Sequence, residues 1–201
     1  MKIGALILAA GLSSRMGAFK PLLDLAGKTL IEHVIGHFSQ FGCEPILVVT
    51  GRDAQLLEDF LTEKFSNRIS FVRNPDYAAS DMFASVKLGL KALPADCTGT
   101  FLTPADIPLF DAALLTKMAA VPAPVVRPSY KGKAGHPVLV RKSAWSRILS
   151  YRGEGGLKGA LQNEPQAFVE ADHEGILLDA DTPEDFRRLR EFLCRMTQDS
   201  F

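Results

Sequence analysis

The stretch Ile3-Gly4-Ala5-Leu6-Ile7-Leu8-Ala9 is an unbroken apolar run, and the loop Ala10-Gly11-Leu12-Ser13-Ser14-Arg15-Met16-Gly17 follows it directly. Such a run predicts a strand that is buried on both faces of a sheet. Three further strand-like runs lie at 45–50, 69–73 and 100–103. Segments with apolar residues at helical spacing lie between and after these runs, at 29–41, 53–65, 82–93 and beyond Asp111. This alternation predicts right-handed βαβ crossovers, a mostly parallel sheet, and a ligand site at the carboxyl ends of the strands.

The chain beyond Val121 has a different texture, with closely spaced prolines and a polar loop rich in Gly and Lys. We predict further elements in this part, namely strands at 136–140 and 174–178 and a final helix that begins at Pro183 after Thr182 as its N-cap. No internal repeat or low-complexity linker interrupts the sequence. We therefore predict one α/β domain over residues 1–201, with a Rossmann-like three-layer fold, a mostly parallel sheet and a mixed C-terminal part.

The overall charge excludes several classes of function. The 201 residues carry 23 Lys and Arg against 23 Asp and Glu, a formal net charge of +0. A general nucleic-acid binder or a polybasic membrane module would carry a basic excess, so no nucleic acid and no membrane is expected as a partner. Three widely spaced cysteines without a C-x-x-C pair predict reduced thiols in the cytoplasm. The first apolar run is short and leads into Ser-Ser-Arg, so we interpret it as a strand rather than a signal peptide.

The loop after the first strand predicts a site for phosphate groups. Gly11 and Gly17 allow positive φ and close backbone approach, while serines and the cations Arg15 and Lys20 add polar groups. The loop is neither a G-x-G-x-x-G fingerprint, since Ser13 replaces the second Gly, nor a Walker A motif. An ordinary glycine turn before a helix is the alternative reading of these residues.

The run L-A-A-G-x-S-S-R-M-G with K-P-L-L behind it resembles the signature of the MobA-like nucleotidyltransferases, and later segments extend the resemblance along the chain. The resemblance implies a fold of the nucleotide-diphospho-sugar transferase type and transfer of a nucleotidyl group with release of pyrophosphate. It implies Arg15 and Lys20 as catalytic residues. The nucleotide-binding residues that it implies in this loop are Ala9, Ala10, Gly11, Ser13, Ser14 and Gly17. Ala10 matches the cytidylyltransferases of the family, which implies CTP as the nucleotide.

Two acids are candidate metal ligands. Asp106 lies between two prolines at the end of the strand at 100–103, where a carboxylate is well placed to hold a cation. The resemblance assigns this role to Asp106, although Ala105 stands where Gly is common. The segment Asp179-Ala180-Asp181-Thr182-Pro183-Glu184-Asp185 resembles a second acidic motif of the family, which makes Asp181 the second ligand. Mg²⁺ is the expected ion, with Mn²⁺ as the alternative.

The remaining candidates concern the two substrates. A segment from Asn74 to Leu90 resembles the family's base and ribose site, which implies Asn74 and Ser85 as nucleotide contacts. Ser85 could instead be an exposed residue of a helix N-terminus. Asp81 has two readings, a helix cap or an acidic contact.

Two Gly-rich elements with cations, around 130–137 and 152–158, resemble elements that suit a phosphate-bearing second substrate such as molybdopterin. The acceptor-binding residues they imply are Lys133, Gly135, His136, Gly155, Gly156 and Lys158. Both elements could also be plain surface loops. Lys158 stands where Arg is frequent, which removes the bidentate fork.

The expected function is transfer of CMP from CTP to the phosphate of the molybdenum cofactor, with residues 1–121 as the nucleotide-binding half and 122–201 as the acceptor-binding half. Contact with a molybdoenzyme is left open. One alternative is the same chemistry on another phosphorylated acceptor, such as a sugar phosphate. The other is a non-catalytic nucleotide- or cofactor-binding module, which the departures at Asp81, Ala105 and Lys158 keep open.

Overall fold

A computed structural model of the chain describes residues 2–12 and 16–198. The strands are β1 (Ile3–Ala9), β2 (Asp24–Leu25), β3 (Lys28–Thr29), β4 (Ile46–Thr50), β5 (Ile69–Arg73), β6 (Gly99–Pro104), β7 (Val125–Tyr130), β8 (Lys133–Ala134), β9 (Val138–Arg141) and β10 (Gln166–Glu170). The α-helices are α1 (Leu30–Phe41), α2 (Ala54–Phe65), α3 (Met82–Ala92), α4 (Ala112–Ala120), α5 (Trp145–Ser150), α6 (Gly156–Ala160) and α7 (Pro183–Gln198). Short 3₁₀ turns lie at Lys20–Leu22, Ser66–Arg68, Lys142–Ala144 and Glu174–Leu177.

One large sheet forms the centre of the molecule, in the order β10-β7-β9-β6-β1-β4-β5, with β8 paired to β7. The strands β6, β1, β4 and β5 are mutually parallel. Strand β9 is antiparallel to both β6 and β7, and β10 is parallel to β7. The predicted mostly parallel sheet with a mixed C-terminal part is therefore confirmed, and the carboxyl ends of β1, β4 and β6 meet at one edge.

Helices cover both faces of the sheet, which gives three layers. The apolar residues of β1 alternate between the faces: Ile7 belongs to the cluster under α1, α2 and α4, and Leu6 to the cluster under α3, α5 and α6. A third cluster joins the β2–β3 hairpin to α7 through Leu25, Leu30 and Leu189. Among the described residues, no helix is long and apolar enough to cross a membrane.

Two predicted strands need correction, and three elements were not predicted. The predicted strand at 174–178 is wrong, because Glu174–Leu177 forms a 3₁₀ turn. His173 caps this turn by accepting from the Gly175 N–H, and a Cβ at Gly175 would lie 2.7 Å from the Leu109 carbonyl oxygen. The predicted strand at 136–140 is shifted to Val138–Arg141. Strand β10 and the short helices α5 and α6 were not predicted, since none of the three shows a clear apolar period in the sequence.

Candidate active site

A cavity of about 370 Å³ opens at the carboxyl edge of β1 and β6, where ligands of parallel sheets bind. Its floor is the end of β1 and the loop after it, and one wall is formed by residues of the β5–α3 connection and the first turn of α3. The other wall is the end of β6 and the loop after it. The cavity lining also includes Asp181, which lies just before α7. The predicted site residues that line the cavity are Ala9, Ala10, Gly11, Lys20, Asn74, Ser85, Asp106 and Asp181.

Lys20 joins the two predicted metal ligands. The Nζ atom of Lys20 donates to Asp106 Oδ2 at 3.1 Å and also to Asp181 Oδ1. Asp106 and Asp181 lie 86 and 161 positions from Lys20 in sequence, so the fold rather than local structure brings the three residues together. Two carboxylates that share one ammonium are close enough to each other to share one cation.

The charges of this cluster shift the pKa values of its members. Burial opposes the charged form of Lys20, but the hydrogen bonds to Asp181 and Asp106 outweigh it and the pKa of Lys20 is raised. Asp179 lies nearby, and its pKa is raised by burial and by repulsion from Asp181 and Asp106. The site is thus rich in negative charge, and Lys20 is held as a permanent cation at neutral pH.

Backbone contacts hold the two acidic segments in place. The Ala105 N–H donates to the Leu8 carbonyl at 3.0 Å, which joins the end of β6 to the end of β1. The Ala180 N–H donates to the Asp106 carbonyl at 3.2 Å, which joins the two acidic segments directly. After Asp181, helix α7 begins at Pro183 as predicted and packs on the hairpin that follows Lys20. The position of Asp181 therefore depends on the docking of α7.

The wall opposite the acids is built around two buried polar residues. Asn74 and Ser85 are each 3% exposed, and Asn74 Nδ2 donates to Ser85 Oγ at 3.0 Å. The alternative that Ser85 is an exposed helix residue is thus wrong. Asp81 is the N-cap of α3, because its Oδ1 accepts from the Ala84 N–H at 3.0 Å, so the helix-cap reading is confirmed.

The loop after β1 leaves space for a ligand. A Cβ at Gly11 would meet no atom of the described residues within 4 Å, and the backbone of Gly11 is not in the left-handed region. Gly17 has φ +70°, as a glycine permits, but it lies outside the cavity lining. Gly51 packs against the floor of the cavity, so closely that a Cβ at this position would lie 2.8 Å from the Ala10 carbonyl oxygen. The predicted residues Ser13, Ser14 and Arg15 lie outside the described residues.

A second cavity of about 310 Å³ adjoins the first. Residues that line both cavities are Leu8, Asp81, Met82 and Pro104. Three of the predicted acceptor-binding residues, His136, Gly156 and Lys158, line this second cavity. The other three do not: Lys133 is exposed on β8, Gly135 packs against the Ile176 backbone, and Gly155 precedes α6 with φ +82°.

Comparison with known proteins agrees with this architecture. Residues 5–169 match the family model described as the MobA-like NTP transferase domain. The chain belongs to this family. It is 32% identical over 192 residues to the molybdenum cofactor cytidylyltransferase of Escherichia coli, covering 94% of this chain and 96% of that protein.

Solved structures of similar fold include a nucleotidyl transferase from Methanothermobacter, with TM-score 0.82, 24% identity and coverage of 97% and 99% of the two chains. A manganese complex of Rv0371c from Mycobacterium tuberculosis gives TM-score 0.77, 22% identity and coverage of 95% and 99%. This MobA-like NTP transferase is therefore an enzyme of the nucleotidyltransferase class with the expected single-domain α/β fold.

The carboxylates of this MobA-like transferase fit a magnesium ion. Mg²⁺ is usually held by one or two carboxylates together with substrate phosphates, rather than by an all-protein cage. Asp106 and Asp181 supply two carboxylates around one point. Within the described part of the chain, no group of three or more His, Cys, Asp or Glu residues forms a cage. This donor set is the one that Mg²⁺ takes when a nucleotide supplies the other ligands.

The second cavity of the transferase also contains a residue that the sequence did not single out. Arg127 of β7 lines it together with His136. Burial lowers the pKa of His136, which a weak contact of Nδ1 with the Leu102 carbonyl only partly opposes, so the ring is neutral at pH 7. The signal for Arg127 was a lone cation inside an extended apolar stretch, Val125-Val126-Arg127-Pro128.

Proposed function

We propose that the protein transfers CMP from CTP to the phosphate of the molybdenum cofactor and releases pyrophosphate, with Mg²⁺ as the metal. The observation that carries this proposal is the cluster of Lys20, Asp106 and Asp181 in the first cavity, which the second cavity adjoins. One cavity is large enough for a nucleotide and the second is lined by cationic and apolar residues. The E. coli relative, similar over 94% of this chain, carries the cytidylyltransferase name.

The reaction needs no protein nucleophile. A phosphate oxygen of the acceptor attacks the α-phosphorus of CTP, the bond from that phosphorus to the β-phosphate bridging oxygen breaks, and the electron pair leaves with pyrophosphate. Both substrates are anions, so the chain must lower their repulsion. Asp106 and Asp181 would hold Mg²⁺, which when bound neutralises phosphate charge.

Lys20 contributes a fixed positive charge beside the reacting phosphates. Its ammonium already forms hydrogen bonds with two carboxylates, and its raised pKa keeps it protonated. When a triphosphate and a cation enter, the phosphate oxygens compete for this ammonium. Charge that develops on the leaving pyrophosphate is then stabilised by a group that was oriented beforehand, which is the main source of electrostatic catalysis. Arg15 is proposed to add a second cation.

The nucleotide is proposed to lie in the first cavity. The backbone from Ala9 to Gly11 would face the triphosphate, where the open space at Gly11 allows close approach. Asn74 and Ser85 would contact the nucleoside from the opposite wall. The acceptor would lie in the second cavity near His136 and Lys158.

Pyrophosphate release tests this assignment. The purified protein is incubated with Mg²⁺, molybdenum cofactor and each of CTP, GTP, ATP and UTP in turn. We expect release with CTP, loss of release in EDTA, and recovery when Mg²⁺ is added back, with a parallel Mn²⁺ series to identify the better ion. Release with CTP only when a sugar phosphate replaces the cofactor would overturn the acceptor. No release with any pair, while CTP still binds, would favour a non-catalytic module.

A further inference from the structure

Arg127 occupies an unusual place in the sheet. Side chains of a strand alternate between faces, so Arg127 lies on the same face as Val125. Val125 belongs to the apolar cluster under α3, α5 and α6. Across the neighbouring strand, Arg127 is in register with Phe168 of β10. Arg127 thus stands between the buried apolar Val125 and Ser129, whose Oγ donates to Glu170 instead of to Arg127.

The guanidinium of Arg127 lacks a full set of partners. Its Nε atom is buried and has no hydrogen-bond partner among the residues that the structure describes. Burial lowers the pKa of Arg127, and no carboxylate in the described part of the chain offsets this effect. Placing a charged or polar group in such surroundings without a partner is costly, so folding alone gives no reason for this residue.

The cavity that Arg127 lines has the character of an anion site. Lys158 adds a second cation to the lining, and His136 lies within the electrostatic reach of both Arg127 and Asp106. Among the lining residues that the structure describes, the only carboxylate is that of Asp81, whose Oδ1 caps helix α3. The rest of the lining is mainly apolar, with Phe83, Val86, Leu102, Val138, Leu157 and Leu161.

We propose that Arg127 binds a phosphate group of the acceptor and thereby positions the acceptor in the second cavity. This inference rests on the proposed function, in which that cavity holds the acceptor. A phosphate monoester with an apolar or aromatic body fits the cavity best: the planar guanidinium fork matches two phosphate oxygens, and the apolar lining covers the body. The phosphate supplies the partner that Nε lacks.

Binding of phenyl phosphate provides a direct test. The complete protein is first saturated with an α,β-methylene analogue of CTP, so that the first cavity is filled, and phenyl phosphate is then titrated by calorimetry. We expect Arg127→Met to weaken binding at least about tenfold, because a charge-assisted bidentate contact is lost. Arg127→Lys keeps the positive charge but loses the planar guanidinium fork, so its affinity for phenyl phosphate should fall between those of the wild type and Arg127→Met. Arg68→Met, an exposed arginine before β5, is the matched control and should bind as the wild type does.

Thermal unfolding separates this role from a structural one. Without ligand, Arg127→Met should have an unchanged or higher Tm, because a half-buried cation whose buried Nε has no described partner is replaced by an apolar side chain of similar length. A lower Tm together with normal phenyl phosphate binding would overturn the proposal, as would absence of phenyl phosphate binding to the wild type.

Pyrophosphate release distinguishes this proposal from the proposed function. Normal release by Arg127→Met with an unchanged KM for the acceptor overturns the role of Arg127 alone. Arg127-dependent binding of phenyl phosphate without release for any acceptor supports the anion site and overturns the transferase assignment.

Discussion

Replacing Lys20 by Met tests the centre of the proposed active site. Methionine keeps an unbranched side chain of similar length and removes the ammonium, so the change acts mainly on charge. In the wild type this ammonium lies 3.1 Å from Asp106 Oδ2 and also contacts Asp181. The variant leaves two carboxylates that face each other without their common cation.

The magnitude follows from the geometry. At 3.1 Å and an effective dielectric constant of about 20, one such charge pair is worth about 5 kcal/mol before the cost of desolvation. A lysine that meets the reacting phosphates at a similar distance should retain part of that energy in the transition state. Loss of one such contact typically costs about 3 kcal/mol, so we expect kcat to fall at least about a hundredfold.

The assay is single-turnover release of pyrophosphate from CTP with molybdenum cofactor, with circular dichroism and Tm to show that the variant is folded. Lys117→Met removes a lysine from an exposed ion pair with Asp172 and is the matched control. It should keep the wild-type rate, because exposed pairs contribute little. A folded Lys20→Met protein that turns over within about threefold of the wild type would refute the proposed role of this charge.

Three further predictions follow from other parts of the structure. Asp181→Asn should lower turnover about a hundredfold with little change in Tm. Asp185→Asn, in the cap of α7, should instead cost about 1 kcal/mol of stability and keep kcat. Equal losses of kcat in the two variants would contradict the separate roles of these carboxylates. Gly51→Ala places a Cβ within 2.7 to 2.9 Å of Tyr77 and Ala10, in the wall and floor of the cavity, and should cost about 1–3 kcal/mol of stability and weaken CTP binding in titrations. The control Gly36→Ala meets no described atom within 4 Å and should stabilise helix α1 by up to about 1 kcal/mol. The pKa of Glu58 is lowered from 4.5, chiefly by the Arg73 guanidinium that donates to it, so the stability that Glu58 contributes is present above pH 4.5 and is lost as pH falls through the folded pKa. In urea titrations, Glu58→Gln should therefore be less stable than the wild type at pH 7. A difference in stability that persists at pH 2 would count against this cause.

The N-terminal half of the fold could be predicted because its signals are local and regular. The strand Ile3–Ala9 was predicted with its true bounds, and the helices of this half begin and end within about a residue of their predicted limits. The wrong strand at 174–178 arose because the apolar residues of that segment reach the core by a tight turn. Backbone packing of Gly175 against the loop before α4 selects that turn, and such a contact leaves no periodic signal in the sequence.

The residues of the candidate site could be predicted from sequence motifs, but their contacts with one another could not. Lys20, Asp106 and Asp181 were selected from motifs, but no spacing rule says that residues so far apart share one hydrogen-bond network. Arg127 escaped prediction because its significance depends on an apolar cavity that exists only after β7, β9 and α6 have packed together. In the sequence, Arg127 is one arginine inside an apolar stretch, and only the fold shows that its Nε is buried without a partner among the described residues.

The long sequence separation between Lys20 and Asp181 has a consequence for synthesis. A ribosome releases strands β1 and β6, whose ends line the first cavity, well before the segment that carries Asp181. The contact that completes the acidic pair spans 161 residues and depends on the docking of α7 on the β2–β3 hairpin. Contacts of such range form late, since the entropy of closing a long loop must first be overcome. We therefore expect a nascent chain to carry the first cavity with only one of its two carboxylates, and the proposed activity to begin when the C-terminal helix folds back onto the hairpin.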